Sequence, residues 1–280
     1  MHLVIQGADI ETRDLKTLAK LSGAAAIDRL SDSAFRLRGA QPAAGIAEHC
    51  AEAKLDFGFV PEGRRLSDFG LLVMDMDSTL ITMETIDELA DMVGIKAEVA
   101  KITERAMRGE IEYDQSLRER LALLKGLEES ALQRVYDERL KFSPGAERML
   151  ETVRKSGIRT LLVSGGFTFM TDRLKSRVQL DYTHSNVLEI SGGKLTGQVT
   201  GGIVNADAKR AALLKVAAEL GLKREQIAGI GDGANDLKFM AECGVSFAYR
   251  AKPVVREQTT YAINHSGLDA LLWLLSAENN

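Results

Sequence analysis

Residues 70–79 read Gly-Leu-Leu-Val-Met-Asp-Met-Asp-Ser-Thr, and this stretch decides the predicted fold. The uncharged run from Leu71 to Met74 is typical of a buried strand in a parallel sheet. Asp75 and Asp77 follow at its carboxyl end, where open α/β sheets bind ligands. If the chain stays extended, both carboxylates lie on one side, where a divalent cation would balance them. Taken alone, such a pair is more often an ordinary solvated strand exit, so the rest of the chain has to decide.

Composition excludes several classes of protein. The chain has 280 residues, 45% hydrophobic and 27% charged, which is typical of a soluble globular protein with one large and one smaller domain. Its net charge of −4 provides no basic surface, so we expect neither nucleic acid nor an acidic membrane as a partner. Cys50 and Cys243 form no zinc-binding pattern, which favours a reducing compartment. Without a signal-peptide pattern or a membrane-length apolar run, we expect a cytoplasmic protein.

Hydrophobic periodicity divides the chain into three parts. Residues 1–66 show the order β-α-β-β-α-β, the ferredoxin-like arrangement, and hold no evident catalytic cluster. After the first motif, three helical patterns run to about residue 140 without a strand, and the first begins with a capping box at Thr85 and Glu88. Alternating strands and helices then resume. We predict a small α+β domain at 1–66, a doubly wound, Rossmann-like parallel sheet at 67–88 and 142–280, and a helical insertion at 89–141.

Two further strands end in polar or glycine-rich segments, Ser164-Gly165-Gly166 and Gly231-Asp232-Gly233-Ala234-Asn235-Asp236. If these strands are parallel neighbours of the first, all three loops meet at one edge of the sheet. Ser164 and the open backbone at Gly165 suit an anion, although a plain turn has the same pattern. Asp232 is placed as a third oxygen ligand for a metal. Asn235 and Asp236 are either helix caps or an outer layer around that metal, and Lys209 alone would be an ordinary solvated lysine.

Together these residues predict phosphoryl transfer to an aspartate. Asp75 would attack phosphorus and form an acyl phosphate, which divides one difficult displacement into two easier ones. Asp77 would protonate the departing oxygen and later take a proton from water. Mg²⁺ would offset the negative charge, while Lys209 and Ser164 hold the transferring oxygens. A Ser-His-Asp hydrolase is disfavoured, because all four histidines lie outside the three loops and Ser164 lacks a GxSxG frame.

The combination resembles the haloacid dehalogenase superfamily of phosphatases. Its four motifs occur here in order: Asp75-x-Asp77-x-Thr79, then Ser164, then Lys209, then Gly231-Asp232-x-x-Asn235-Asp236. The resemblance covers about residues 68–280, and the ordered set is far more specific than any one motif. It implies a catalytic core with a helical cap inserted after the first motif. It also implies Mg²⁺ held by Asp75, Asp77 and Asp232, with Thr79 and Asp236 supporting those ligands.

Within that superfamily, residues 75–87, 115–120, 163–167 and 231–236 resemble the branch that hydrolyses O-phosphoserine to serine and phosphate, the last step of serine biosynthesis. This resemblance implies that Glu84 binds the substrate amino group and Arg120 its carboxylate. It places around the phosphate Ser164, Gly165, Lys209 and Asn235. Arg120 falls within the apolar stripe of its helix, so its guanidinium must reach solvent or meet an anion, and we favour the substrate carboxylate.

Residues 1–66 resemble the ACT-like domains that bind amino acids, but they contain no specific motif. Regulation by serine is therefore a hypothesis based on the order of elements, and a homodimer is a further hypothesis. Two alternative functions stay open. A phosphotransferase that moves the phosphoryl group from phosphoserine to another alcohol would use the same residues. A receiver-type signalling module also phosphorylates an aspartate, but it would need neither Asp77 nor a long helical insertion.

Overall fold

The computed structural model describes residues 1–277, and the chain begins with the small α+β unit that the sequence predicts. Its elements are β1 (His2–Gln6), α1 (Thr12–Ser22), β2 (Ala26–Ser31), β3 (Ala34–Arg38), α2 (Ile46–Glu52) and β4 (Asp56–Val60). The antiparallel strands stand in the order β2-β3-β1-β4, which is the ferredoxin-like order. Because alternate strand residues face opposite sides, Leu3 and Ile5 pack in the core of this unit, while Val4 joins the core of the larger part.

The helical insertion follows the first strand of the large sheet, and it holds four helices where the sequence predicts three. These elements are β5 (Leu71–Met74), α3 (Thr85–Met92), α4 (Lys96–Met107), α5 (Tyr113–Leu123) and α6 (Ser130–Glu138). The prediction misses α6, whose buried residues Ala131, Leu132 and Val135 make only a short apolar stripe. The predicted capping box is also wrong. Glu84 is the N-cap of α3, and the Thr85 side chain bonds elsewhere.

The remainder of the chain alternates between helices and strands, as predicted for a doubly wound sheet. It contains α7 (Ala146–Lys155), β6 (Arg159–Phe167), α8 (Thr168–Val178), β7 (Tyr182–Ser191), β8 (Lys194–Thr200), α9 (Ala206–Glu219), β9 (Ile227–Gly231), α10 (Leu237–Met240), β10 (Val245–Tyr249), α11 (Pro253–Arg256), β11 (Tyr261–Ile263) and α12 (Ala270–Leu275). The strand order is β11-β10-β9-β5-β6-β7-β8, parallel except for β8. The hairpin turns at Gly192 and Gly193, as predicted, and both glycines have positive φ.

The two sheets are joined by a buried interface. Asp56 on β4 accepts hydrogen bonds from the backbone N–H groups of Asn264, His265 and Ser266, with shortest distances of 2.7, 3.0 and 2.7 Å. All six residues of α12 are buried. If Gly58 carried a side chain, its Cβ would lie only 2.6 Å from a side-chain carbon of Leu274, which is too close. Glycine at position 58 therefore allows the small sheet to approach α12 closely.

The predicted domain limits are not decided by these contacts and stay a prediction. The predicted border between 88 and 89 falls inside α3. Positions 278–280 of the predicted second domain lie outside the described residues. Across residues 1–277, no helix is both long enough and apolar enough to cross a membrane.

Candidate active site

Three loops of the large sheet meet at the carboxyl end of β5. This strand lies between β9 and β6, and both neighbours run parallel to it. Met74 pairs with Leu162 on one side and with Ile230 on the other. Because the three strands end side by side, the polar segments that follow them form one site, as the sequence predicts.

A buried lysine connects two of these loops. Lys209 lies in the first turn of α9, and its side chain is only 1% exposed. Its Nζ donates hydrogen bonds to Asp75 Oδ1 at 2.5 Å and to Asp236 Oδ1 at 2.7 Å. Burial opposes the charge of Lys209, but Asp236 and Asp75 outweigh it and raise the pKa of the ammonium group. Lys209 is therefore a fixed cation beside Asp75, and not the solvated lysine that its sequence position alone favours.

Asp77 has a different partner from Asp75. Its Oδ1 accepts hydrogen bonds from Thr85 Oγ1 at 2.6 Å and from Thr85 N at 3.2 Å. Burial, followed by the charge of Glu84, raises the pKa of Asp77 to about 7. Because its bonded partner is neutral, Asp77 can keep a proton near neutral pH, which is what a general acid requires.

Three carboxylates gather at the ends of β5 and β9. Ligand oxygens of Asp75, Asp232 and Asp236 all lie within 4.8 Å of one another. Asp232 Oδ1 accepts a hydrogen bond from Thr79 Oγ1 at 2.9 Å, which supports the predicted role of Thr79 beside the cluster. Burial, followed by the charge of Asp236, raises the pKa of Asp232 to about 7. Such a set of hard oxygen donors suits a divalent cation.

This cluster differs in two residues from the predicted metal ligands. The sequence prediction includes Asp77 and puts Asp236 in an outer layer, whereas the structure places Asp236 in the cluster and turns Asp77 toward Thr85. Asp77 itself keeps extended backbone angles, and the left-handed Ser78, with φ 56°, comes only after it. The Asp77 carboxylate is held in its direction by the two hydrogen bonds that Thr85 donates. Asp77 as a metal ligand and Asp236 as a supporting residue stay predictions.

The carboxyl-terminal segment of β6, from Ser164 to Gly166, forms the opposite side of the site. Ser164 is fully buried, and its Oγ accepts a hydrogen bond from the N–H of Gly166 at 2.8 Å. A Cβ on Gly166 would lie 2.8 Å from Asp77 Oδ2, so glycine is required for this close approach. Ser164, Gly165 and Gly166 still belong to β6. The next helix, α8, begins at Thr168 and not, as the sequence predicts, directly after Gly166. The Ser164 hydroxyl keeps its own hydrogen free to donate to a bound anion.

The residues predicted to bind the amino-acid end of the substrate, Glu84 before the insertion and Arg120 within it, lie near each other. Glu84 Oε1 accepts a hydrogen bond from Ser78 Oγ at 2.6 Å, and the side chain is exposed. Arg120 is half-buried on α5, and its Nε donates to the carbonyl of Ser116 at 3.3 Å. Its charge acts on Glu84, and the charge of Glu84 acts on Asp77. Within residues 1–277, no carboxylate forms an ion pair with Arg120, so its guanidinium is available to an anion.

Three residues that help to form the site are missing from the sequence prediction. Thr85, which the sequence predicts in a capping box, instead bonds Asp77. Asn186 donates to the Gly165 carbonyl at 2.7 Å and accepts from the N–H of Val204 at 2.8 Å, and no local pattern signals this link. Tyr113 lies seven residues before Arg120, a helical spacing that could have found it. The predicted Asn235 is half-buried and folds over its own loop, where a Cβ on Gly233 would lie 2.1 Å from its Oδ1.

Known proteins are similar to this chain in sequence. Residues 72–241 match the haloacid dehalogenase-like hydrolase family, and residues 3–46 match a domain of unknown function (DUF4072). A phosphoserine phosphatase from Polaromonas sp. is 52% identical over 216 residues, which cover 75% of this chain and 92% of the relative.

Solved structures match over nearly the whole chain. A haloacid dehalogenase family hydrolase from Salmonella enterica serovar Typhi has a TM-score of 0.89 at 32% identity, covering 99% of this chain and 98% of that one. A probable phosphoserine phosphatase from Vibrio cholerae has a TM-score of 0.86 at 35% identity, covering 99% and 86%. Since the family match spans more than half of the sequence, the chain belongs to the haloacid dehalogenase-like hydrolases.

Proposed function

We propose that this protein hydrolyses O-phosphoserine to serine and inorganic phosphate through an aspartyl phosphate on Asp75, as the last step of serine biosynthesis. The observation that carries the proposal is the contrast between two neighbouring carboxylates. Asp75 is bonded to the buried cation Lys209, whereas Asp77 is bonded to the neutral Thr85. Different surroundings for two such groups are what a nucleophile and a general acid require. The 52% identity to a phosphoserine phosphatase supports the choice of substrate.

In the first half-reaction, a carboxylate oxygen of Asp75 forms a bond to phosphorus. The bond between phosphorus and the serine oxygen breaks, and Asp77 donates its proton to that oxygen, so serine leaves as the neutral alcohol. Lys209 holds Asp75 in position and balances charge on the transferring group. The Ser164 hydroxyl donates to a phosphoryl oxygen.

In the second half-reaction, Asp77 takes a proton from a water molecule. The water oxygen bonds to phosphorus, and the bond between phosphorus and Asp75 breaks. Inorganic phosphate is released, and Asp75 returns to the carboxylate form. Both steps use the same Asp77 side chain in opposite protonation states, so a pKa near neutral pH suits it to both.

The donors at the carboxyl end of β5 fit the Mg²⁺ that the family implies. Asp75, Asp232 and Asp236 would hold it, because ligand oxygens of these three carboxylates lie within 4.8 Å of one another and, among residues 1–277, Lys209 is the one cation bonded to them. When bound, Mg²⁺ offsets the negative charge of the phosphate and the carboxylates. Lys209 alone cannot neutralise a dianionic phosphate together with this cluster.

Arg120 and Glu84 are proposed to bind the amino-acid end of the substrate. Arg120→Ala should remove the preference for phosphoserine over a simple alkyl phosphate, because only phosphoserine offers a carboxylate to the guanidinium. The measurement is kcat/KM for both substrates in wild type and variant. Arg134→Ala, an exposed arginine on α6, is the matched control. A preserved preference in Arg120→Ala would refute the carboxylate role.

The proposed reaction is tested by phosphate release from a panel of phosphorylated metabolites, with Mg²⁺ and with chelator. Phosphoserine should be the best substrate, and chelation should abolish its turnover. Analysis of products with and without added homoserine distinguishes a hydrolase from a phosphotransferase. A cytoplasmic location and a homodimer remain parts of the proposal, and sedimentation of the purified protein tests the second.

A further inference from the structure

The first turn of α5 touches two segments of the phosphoryl site. A Cβ added at Gly165 would lie 2.1 Å from Tyr113 Oη, so the hydroxyl stands directly over the carboxyl-terminal end of β6. The next residue, Asp114, accepts a hydrogen bond from Asn205 Nδ2 at 3.0 Å. Asn205 is the N-cap of α9, the helix that carries Lys209. This turn therefore docks the helical insertion on both parts of the core that would face a phosphoryl group.

The Tyr113 hydroxyl has no hydrogen-bond partner within residues 1–277, although it is surrounded by charge. Burial raises the pKa of Tyr113, and the charges of Lys209, Arg120, Asp75 and Asp77 all act on it. The hydroxyl is therefore protonated and can donate a hydrogen bond. Because this donor stands over Gly165, a ligand atom bound beside that residue lies within its reach.

We propose that the Tyr113 hydroxyl donates a hydrogen bond to a phosphoryl oxygen, so that the phosphoryl site is complete only when the first turn of α5 is docked. This inference deepens the proposed function and rests on it for the identity of the substrate. A phosphoryl oxygen is the favoured acceptor because the hydroxyl lies over Gly165, beside the Ser164 hydroxyl that would hold the same group. The amino-acid end of the substrate is expected at Arg120, two helical turns further along α5.

The test is Tyr113→Phe, which keeps the ring and removes only the hydroxyl. Binding of inorganic phosphate and of orthovanadate should weaken by about tenfold, the scale expected for losing one hydrogen bond to a charged group. Binding of serine, which has no phosphoryl group, should not change. The kcat/KM values for phosphoserine and for p-nitrophenyl phosphate should fall by the same factor, because both substrates present the same group.

Two further variants separate this role from a structural one. Tyr182→Phe removes a surface hydroxyl that donates to Glu219 at 3.2 Å, and it should leave all of these values unchanged. Asp114→Ala removes the contact with Asn205, so it should weaken phosphate and serine binding together by loosening the whole insertion. If Tyr113→Phe weakens both ligands equally, or weakens neither, the inference is overturned. Because phosphate binding needs no turnover of phosphoserine, this result stands apart from the outcome of the substrate panel.

Discussion

Asp75 and Asp77 are the same kind of residue two positions apart, and their partners give them different roles. Lys209 favours the ionised form of Asp75, although burial raises the pKa of that carboxyl. Asp77 is held by Thr85 and has a pKa raised by burial to about 7. At this scale, hydrogen bonding and burial decide which carboxylate attacks and which one carries the proton.

Asp75→Asn should abolish turnover of phosphoserine, because an amide cannot form the aspartyl phosphate. The side chain keeps its shape, so the thermal midpoint should stay within a few degrees of the wild-type value. Initial rates and a thermal melt measure the two effects. Asp137→Asn, on the exposed face of α6, is the control and should keep full activity. Appreciable turnover by Asp75→Asn would show that Asp75 is not the nucleophile.

Thr85→Val should move the pH dependence of the first half-reaction. The Thr85 hydroxyl lowers the pKa of Asp77, so its removal raises that pKa above about 7. The general acid must be protonated, so serine release slows as pH rises through the pKa of Asp77, and in the variant this decline should move to higher pH. The rate should also drop about tenfold, because the lost hydrogen bond stabilises the charged carboxylate that forms as Asp77 gives up its proton.

Rapid-quench measurement of serine release between about pH 5.5 and 9 tests this shift, since that range spans the expected pKa values. Thr152→Val removes an exposed hydroxyl bonded to the carbonyl of Arg148, and it serves as the control. An unchanged pH profile in Thr85→Val would mean that another group supplies the proton.

At the scale of elements, the insertion is held against the hairpin of β7 and β8. Gly126 N donates to Leu195 O at 2.8 Å, and Leu195 N donates to Leu127 O at 2.9 Å. A Cβ on Gly197 would lie 3.1 Å from the carbonyl oxygen of Leu121, which is on α5. The hairpin therefore sets the position of the helix that carries both Arg120 and Tyr113.

Gly197→Ala should displace the end of α5 and raise KM for phosphoserine several-fold. Gly197 has φ +83°, so alanine also costs about 1–2 kcal/mol in backbone strain. Gly201→Ala is a matched control, because Gly201 has φ +77° but no atom within 4 Å of the added Cβ. Both variants should lose similar stability in a denaturant titration, but only Gly197→Ala should change KM. Equal KM values would show that the hairpin does not position α5.

For the whole molecule, the three strand ends place acidic groups together at the cost of mutual repulsion. The pKa of Asp77 and that of Asp232 are both raised to about 7, and the pKa of Asp75 is also raised, in each case first by burial. The unfolded chain gives up these protons at lower pH than the folded chain does. The metal-free protein therefore loses stability as pH rises from about 4 to 7 through these groups.

Mg²⁺ should stabilise the protein more at pH 8 than at pH 5.5, because only ionised carboxylates bind it. At saturating Mg²⁺ the thermal midpoint should rise by about 2–4 °C for each kcal/mol of binding energy. Melting curves with MgCl₂, and with KCl at equal ionic strength, measure the effect. Asp232→Asn should remove most of it. A Mg²⁺ effect that is equal at both pH values would contradict binding at these carboxylates.

The large sheet, the ferredoxin-like unit and the convergence of three loops were all predictable from the sequence. They follow from apolar runs, helical periods and strand-end motifs, which are local patterns that act over a few residues. Short elements such as α6 and β11 escaped prediction, because three or four apolar positions do not define a period. The chemistry could be predicted because Asp75, Ser164, Lys209 and Asp232 belong to motifs that occur in a fixed order along the chain.

The sequence by itself determined which chemical groups reach the carboxyl edge of the sheet. Only the tertiary structure decided how they pair. It buries Lys209 between Asp75 and Asp236, turns Asp77 to Thr85, and sets the Tyr113 hydroxyl over Gly165. Lys209 and Asp75 are 134 positions apart in the chain. Pairings at such separation depend on how strands, turns and the insertion pack together, and no local pattern records that packing.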